Sequence, residues 1–332
     1  MDKPPNPSQR KTEPASAEER YVGEIITTAE RLLKDKTAIG DLKLVNAALK
    51  EMRYAFRVFA AYRHVRKVSI FGSARTRKGE PAYEQAERFA QRIVDAGFMI
   101  ITGAGPGIME ACQRGAGRER SFGINIRLPF EQSANEVIRG DPKLINFKYF
   151  FARKLFFVKE ANAATMFPGG FGTHDEGYES LTLVQTGKSQ PLPLVFLDEP
   201  GGEYWTTWRR YVVDHLLGRQ MISEEDLTLF RVTQDVDEAV EEITRFYRVY
   251  HSSRYVRDQL VIRLTRPLSP ELLTRLNADF RDIVVSGEIV QRSAFETERD
   301  DAESFSLPRL AFHFDRAHFG RLRMLIDRIN AG

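Results

Sequence analysis

Residues 68–126 read VSIFGSARTRKGEPAYEQAERFAQRIVDAGFMIITGAGPGIMEACQRGAGRERSFGINI. Short apolar runs of strand length alternate here with longer segments of helical periodicity. The apolar runs are continuous, which is typical of parallel strands with both faces buried. This pattern predicts an α/β fold with a doubly wound, Rossmann-like parallel sheet. The predicted strands cover residues 68–72, 98–101 and 123–126, and the predicted helices cover 80–96 and 108–117.

The same alternation continues to about residue 250. A polar loop through Asp141 follows the third strand, and helices and strands then alternate again. The predicted helices cover residues 150–160, 173–186, 204–217 and 236–250, and the predicted strands cover 163–167, 192–197 and 228–232.

The N-terminal region has a different character. Residues 1–18 contain four prolines among Ser, Lys and Glu, without the apolar segment of a signal peptide, and we predict a disordered leader. Two amphipathic helices follow and are expected to pack beside the core. With them, the Rossmann-like domain is predicted to cover residues 19–250. The apolar stripe of the first helix consists of Val22, Ile25, Ile26, Ala29, Leu32 and Leu33.

After about His251 the strand–helix alternation stops. Residues 251–332 are predicted to form a small α+β module, which we assign to assembly or regulation. The alternative is that this segment completes the main core. The predicted elements are strands at 259–264 and 310–314, helices at 270–279 and 316–329, and a short hairpin over 283–290.

Composition excludes several classes of protein. The 332 residues include 49 Lys and Arg against 46 Asp and Glu, so a formal charge of +3 gives no case for a nucleic-acid partner. Apolar runs fall far short of the ~20 residues of a membrane span, and no membrane partner is expected. Cys112, the single cysteine, excludes an intramolecular disulfide and a Cys-rich zinc site, and suits a cytoplasmic location. The histidines show no metal-ligand spacing.

A first glycine-rich loop, TGAGPGIM at residues 102–109, follows a predicted strand. Gly103, Gly105 and Gly107 would let backbone N–H groups approach a phosphate, close to the positive end of the next helix. The alternative is a tight turn without a ligand. The dinucleotide pattern G-x-G-x-x-G is absent, which disfavours a dinucleotide-dependent oxidoreductase.

A second glycine-rich loop, PGGFGTHDE at residues 168–176, follows the strand predicted at 163–167. Thr173 and Glu176 have the spacing of a capping box, so Glu176 would serve as a helix cap. The same position would put its carboxylate at the mouth of the sheet, and spacing alone leaves both interpretations open. His174 is interpreted as a solvated loop residue.

Two further positions supply polar groups. Arg153 and Lys154 lie on the helix before the second loop, and helical periodicity allows Arg153 to face either the cleft or solvent. Ser73, after the first strand, would donate a hydrogen bond to phosphate or cap the following segment. No Gly-x-Ser-x-Gly elbow is present, which argues against serine hydrolase chemistry.

These features together carry a family resemblance. Residues 168–176 match the pattern P-G-G-x-G-T-x-x-E, and residues 71–73, residues 103–109 and the Arg153–Lys154 pair precede them in the expected order. Over about residues 65–250 the chain resembles the Lonely Guy family of phosphoribohydrolases, in its longer bacterial form. Members of this family have often been labelled lysine decarboxylases, but the chain shows no pyridoxal-phosphate lysine signature.

The resemblance implies hydrolysis of the N-glycosidic bond of a purine-type nucleoside 5′-monophosphate, such as AMP or a cytokinin riboside monophosphate. The products are free base and ribose 5-phosphate, and neither a metal nor a cofactor is required. A homodimer or higher homo-oligomer is expected. The alternative is a non-catalytic nucleotide sensor. Arg153 and Glu176 take the catalytic positions, and the substrate-binding positions are Ser73, Gly103, Gly105, Gly107, Met109, Lys154, Gly169, Gly170, Gly172 and Thr173.

Overall fold

The computed structural model describes residues 16–127, 134–299 and 301–332. The chain forms two compact units, residues 1–52 and 53–332. Of the predicted leader, residues 1–15 lie outside the described part of the chain, and Ser16 already caps the first helix.

The first unit contains helix α1 (Ala17–Lys34) and most of helix α2 (Ile39–Ala60). Helix α1 begins with a capping box, in which Ser16 Oγ accepts from the Glu19 N–H and the Glu19 carboxylate accepts from the Ser16 N–H. The predicted apolar stripe of α1 is present, but none of its residues is buried in this chain. The expectation that this helix packs beside the core stays a prediction. No described helix is long and apolar enough to cross a membrane.

The second unit is built on a seven-stranded sheet in which all neighbouring strands are parallel. The strand order is β4-β3-β2-β1-β5-β6-β7, so the predicted doubly wound parallel sheet is confirmed. The strands are β1 (Lys67–Phe71), β2 (Met99–Thr102), β3 (Ser121–Ile126), β4 (Leu144–Phe147), β5 (Ala163–Met166), β6 (Leu194–Leu197) and β7 (Phe230–Thr233).

Helices cover both faces of this sheet, as right-handed crossovers in opposite directions require. Helix α3 contacts both α4 and α8, and these three helices contact strands β1, β2, β6 and β7, whereas α5, α6 and α7 contact strands β3, β4, β5 and β7. Their bounds are α3 (Pro81–Asp95), α4 (Ile108–Ala116), α5 (Phe150–Lys159), α6 (Phe171–Gln185), α7 (Tyr204–Tyr211) and α8 (Val236–Phe246).

Two strands were not predicted. Strand β4, at the sheet edge, alternates half-buried and buried residues, so its four residues do not stand out from the preceding polar loop. Strand β8 (Tyr250–Val256) carries His251, Ser252 and Arg254, and its polar sequence hides it. The helix predicted to reach residue 250 ends at Phe246 for the same reason.

Strand β8 opens a second, antiparallel sheet of order β10-β11-β9-β8. The hairpin predicted over 283–290 is wrong: Val284 bridges Phe314, whereas Val290 pairs with Ala311 of β11. An isolated two-stranded hairpin is marginal, and pairing with one longer segment places both pieces in a larger sheet. The remaining elements are β9 (Gln259–Leu264), helix α9 (Pro270–Asp279), β10 (Val290–Arg292), β11 (Arg309–Phe312) and helix α10 (Phe319–Ala331).

The C-terminal segment and the parallel sheet share one hydrophobic core. The apolar stripe predicted on the last helix is buried in the same cluster as Val68 and Ile70 of β1. Arg323 of α10 also pairs with Glu242 of α8, and the Asn330 side chain accepts hydrogen bonds from the N–H groups of Val249 and Tyr250. The assignment of residues 251–332 to assembly or regulation stays a prediction. The buried stripe consists of Phe319, Leu322, Leu325, Ile326 and Ile329.

We expect truncation after residue 250 to abolish cooperative folding. Each buried apolar side chain of α10 contributes about 1.5–3 kcal/mol, and five of them approach the typical total stability of roughly 5–15 kcal/mol. Circular dichroism and thermal unfolding of the truncated chain check this. A soluble fragment with a native spectrum and a cooperative transition would show that residues 251–332 are a separate module.

Candidate active site

A cleft of about 790 Å³ opens at the carboxyl ends of β1, β2 and β5. The strand order reverses between β1 and β5, and such a switch point is where ligands bind in doubly wound sheets. Loops after three strands and the first turns of α5 and α6 supply the wall. The polar and glycine residues that line it include Ser73, Arg75, Gly103, Arg153, Gly169, Gly170, Gly172, Thr173, His174, Asp175, Glu176 and Tyr204, together with Met109.

Two backbone hydrogen bonds hold the loops of the cleft together. The Ser73 N–H donates to the Pro168 carbonyl oxygen over 3.0 Å, and the Ile108 N–H donates to the Ser73 carbonyl oxygen, also over 3.0 Å. Gly107 has φ +69°, and a Cβ there would lie 2.3 Å from the Ser73 carbonyl oxygen. Only glycine fits where these two backbone segments approach each other. Gly107 therefore has a structural role in the loop, and it is not among the residues that line the cleft.

Gly103 makes room for two side chains. A Cβ at this position would lie 2.6 Å from Arg153 Nη2 and 2.7 Å from Met109 Sδ. A Cβ on Gly105 would likewise lie 2.7 Å from Met109 Cε. Gly103 and Met109 line the cleft, whereas Gly105 lies behind Met109.

Arg153 faces the cleft, which resolves the choice that helical periodicity left open. Its Nε donates to the Ile124 carbonyl oxygen over 2.9 Å, and its guanidinium lies 5.1 Å from the ring centroid of Phe157. Burial lowers the pKa of Arg153, and the charge of Glu176 opposes that effect. The group stays a cation at neutral pH because a guanidinium titrates far above that range.

Ser73 caps the segment after β1, which was one of its two predicted roles, and its contact with phosphate stays a prediction. Its Oγ accepts a hydrogen bond from the Arg75 N–H over 3.1 Å, which stabilises the turn after β1. A serine hydroxyl that accepts still has its own proton to donate. Because Ser73 lines the cleft, that proton is available to a bound oxyanion.

The capping box predicted for Thr173 and Glu176 is wrong. Helix α6 begins at Phe171 and is capped by Gly170, with no side-chain cap hydrogen bond, because the glycines let the helix start two residues early. Thr173 is therefore inside the first turn, and a Cβ on Gly169 would lie 2.2 Å from its Oγ1. The first N–H groups of a helix have no intrahelical partner. Here the N–H groups of Thr173 and His174 both donate to the Gly170 carbonyl oxygen, whereas those of Phe171 and Gly172 precede them in the segment that lines the cleft and can bind an anion.

Glu176 lies one turn further along α6 and is only 8% exposed. Burial raises its pKa to about 7. The Lys154 ammonium and the Arg153 guanidinium lower that pKa, whereas the carboxylates of Glu179 and Asp175 raise it. A carboxylate with such a pKa can hold a negative charge in the cleft and also accept a proton near neutral pH.

Lys154 contacts carboxylates and is not among the residues that line the cleft. Its Nζ lies 2.8 Å from Asp175 Oδ2, 2.7 Å from Glu179 Oε2 and 3.7 Å from Glu176 Oε2. The structure therefore places it behind Glu176, and its predicted contact with substrate stays a prediction.

His174 lies in the first turn of α6 and is half-buried, whereas it was interpreted as a solvated loop residue. Its ring lies against Tyr178, Tyr204 and Trp205, and burial lowers its pKa. Tyr204 Oη donates to the Gly169 carbonyl oxygen and lies 2.6 Å from His174 Nε2. Because the phenol has one proton, the neutral imidazole must donate from Nε2.

Sequence reasoning missed Tyr204. It begins α7, the helix that follows β6, and thus stands at the same end of the sheet as the glycine loops. Its position directly after a predicted strand was the signal in the sequence that could have identified Tyr204 as a site residue. Among the described residues, no group of three or more His, Cys, Asp or Glu could hold a metal ion.

A family model described as "possible lysine decarboxylase" matches residues 109–243. This label is the one that Lonely Guy proteins have often carried, and the matched segment contains Arg153, Lys154 and the PGGFGTHDE loop. The resemblance to the Lonely Guy family is confirmed. A comparison with curated proteins gave no match.

Three solved structures are similar to this chain at low sequence identity. The molybdenum cofactor binding protein from Rippkaea orientalis is 15% identical over 53% of this chain and 94% of that one, with a TM-score of 0.38. The molybdenum cofactor carrier protein from Chlamydomonas reinhardtii is 18% identical over 55% and 97%, with a TM-score of 0.37. DNA processing protein A from Helicobacter pylori is 15% identical over 53% and 79%, with a TM-score of 0.36.

The raised pKa of Glu176 predicts a pH-dependent effect of Glu176→Gln on stability. Between the ordinary value of 4.5 and about 7 the folded protein binds more protons here than the unfolded chain, so this stability is full below pH 4.5 and lost as pH rises through 7. Glutamine mimics the protonated acid. We therefore expect the variant to unfold with a free energy higher than that of wild type by up to about 3 kcal/mol at pH 8.

Urea denaturation at pH 4.5 and pH 8 measures this difference. The two proteins should have nearly equal stability at the lower pH. A variant that is less stable than wild type at pH 8 would contradict the raised pKa of Glu176.

Proposed function

We propose that this protein hydrolyses the N-glycosidic bond of a purine-type nucleoside 5′-monophosphate, releasing free base and ribose 5-phosphate. The observation that carries the proposal is the buried carboxylate of Glu176, which shares one cleft with the Arg153 guanidinium and the start of α6. AMP and cytokinin riboside monophosphates are the substrates that the family resemblance suggests.

The 5′-phosphate would bind at the start of α6. The N–H groups of its first turn, the hydroxyls of Ser73 and Thr173, and the side chain of Arg75 all border this part of the cleft. Binding energy from a phosphate remote from the reacting bond can position the ribose against Glu176.

Breaking the bond between C1′ and the base nitrogen leaves positive charge on the ribose and negative charge on the base. Ionised Glu176 would stabilise the ribosyl cation and accept a proton from the water that attacks C1′. Arg153 would stabilise the negative charge on the departing base or orient the nucleotide, since its guanidinium is a poor proton donor. The base then takes up a proton, which balances the one that water has lost.

The cleft does not support a lysine decarboxylase. Such an enzyme needs a lysine that forms a Schiff base with pyridoxal phosphate. Among the described residues that line the cleft there is no lysine, and the nearby Lys154 is bound by carboxylates. The matched label therefore does not describe the chemistry that we propose.

The proposal is tested by incubating the protein with a panel of nucleoside monophosphates, nucleoside diphosphates and unphosphorylated nucleosides, and by separating the products by chromatography. We expect release of free base from a purine monophosphate, and a loss of about 10²-fold or more in kcat for Glu176→Gln, because the amide cannot offset the ribosyl charge. Nucleotide binding by the variant should persist. Binding without turnover in the wild type would favour a non-catalytic nucleotide sensor, and a variant of near wild-type rate would remove Glu176 from the reaction.

We further expect a strong preference for 5′-monophosphates over the corresponding nucleosides. Without the phosphate, the N–H groups at the start of α6 would face an empty anion site, and the ribose would lose its anchor. The ratio of kcat/KM for AMP and adenosine measures this preference. Equal values would contradict the phosphate site.

Residues that line the cleft also suggest why a second copy of the chain would matter. Phe171 is 95% exposed at its edge, and Phe150 beside Arg153 is 53% exposed. We propose a homodimer or higher homo-oligomer, acting in the cytoplasm, as the working form.

A further inference from the structure

The cluster around Lys154 holds more negative than positive charge. Its ammonium contacts Asp175, Glu179 and Glu176, so one cation serves three carboxylates. The short contacts, 2.8 Å and 2.7 Å, go to Asp175 and Glu179, whereas Glu176 Oε2 lies at 3.7 Å. The Lys154 ammonium therefore lies closer to Asp175 and Glu179 than to Glu176.

The ion pair of Lys154 and Glu179 lies outside the cleft in which we propose that the nucleotide binds. Lys154 and Glu179 line a second cleft of about 610 Å³, and Glu176 lines the first. The side chains of Lys154 and Glu179 are 18% and 33% exposed, so both are partly solvated from the far side. Neither residue has to touch the nucleotide to act on Glu176.

We propose, on the basis of the proposed function, that Lys154 and Glu179 are positioning residues whose ion pair sets the charge of Glu176. Lys154 favours the ionised carboxylate that the reaction needs. Glu179 opposes ionisation in two ways, because it adds a negative charge and because it holds the Lys154 ammonium away from Glu176.

The two halves of the pair must then act in opposite directions. A clamp that only joins α5 to α6 would be weakened in the same sense by removing either half. Opposite shifts in the pKa of Glu176 therefore distinguish electrostatic control by the ion pair from a purely structural role. The charged and titratable groups that face Glu176 are Arg153 and Lys154 from α5, His174, Asp175 and Glu179 from α6, Tyr204 from α7 and Arg75 from the loop after β1.

The experiment compares the pH dependence of kcat/KM for AMP in wild type, Lys154→Met and Glu179→Gln. The acidic limb reports the ionisation of Glu176 in the free enzyme, and the titration of the substrate phosphate is common to all proteins. We expect the midpoint of the acidic limb to move to higher pH by about one unit or more in Lys154→Met. In Glu179→Gln it should move to lower pH by roughly half a unit or more. At a pH on the wild-type limb, the lysine variant should lose about tenfold in rate and the glutamate variant should gain.

Lys159→Met is the matched control. Lys159 lies on the same helix, five residues further along, and pairs with Glu160 instead of the cluster. Its removal should leave the limb unchanged. Shifts of the same sign in Lys154→Met and Glu179→Gln, or shifts no larger than that of the control, would overturn the proposal. If Lys154→Met does not fold, Glu179→Gln alone decides, since only a downward shift agrees with charge control.

A second readout separates this proposal from the proposed function. The carboxyl carbon of Glu176, assigned by its loss in Glu176→Gln, can be titrated by NMR in protein labelled at glutamate. The same opposite shifts should appear in the absence of any substrate. Opposite NMR shifts in a protein without nucleotide hydrolysis would support the pair and refute the function, whereas hydrolysis without those shifts would do the reverse.

Discussion

The reversal of strand order between β1 and β5 is the constraint on which the candidate site depends. The connections of the two strands leave in opposite directions, so no helix covers the space above their carboxyl ends. Backbone hydrogen bonds from Ser73 to Pro168 and from Ile108 to Ser73 then join the loops around this space. The start of α6 and the Arg153 side chain are both brought to one cleft by this arrangement.

Most of the parallel sheet could be predicted because its central strands are continuous apolar runs. The strand predicted at 259–264 and the helix predicted at 270–279 also have the observed bounds. Strands β4 and β8 could not be recognised in this way, since each has a more exposed face that carries polar residues. Apolar periodicity showed that α1 has a stripe, but periodicity contains no information on what covers such a stripe.

The sequence indicated many of the residues that line the cleft. It indicated much less about which charged groups contact one another there. The PGGFGTHDE loop pointed to Glu176, but its burial depends on how α6 begins at Phe171. Lys154 was predicted beside the substrate because it follows Arg153 in the motif. The structure adds that the helical rotation of about 100° per residue directs its ammonium toward Glu179 and Asp175. Tyr204 was missed because it is distant in sequence from every glycine loop.

The nitrogens of the Arg153 side chain make two separate sets of contacts. Its Nε is committed to the Ile124 carbonyl oxygen at the end of β3, which fixes the plane of the guanidinium relative to the sheet. The two Nη groups lie in that same plane, beyond Cζ, and Nη2 occupies the space that Gly103 leaves open. A lysine has a single side-chain nitrogen, which could hold the sheet or face the cleft but not both. An arginine at position 153 can do both because it has three side-chain nitrogens, whatever its charge contributes.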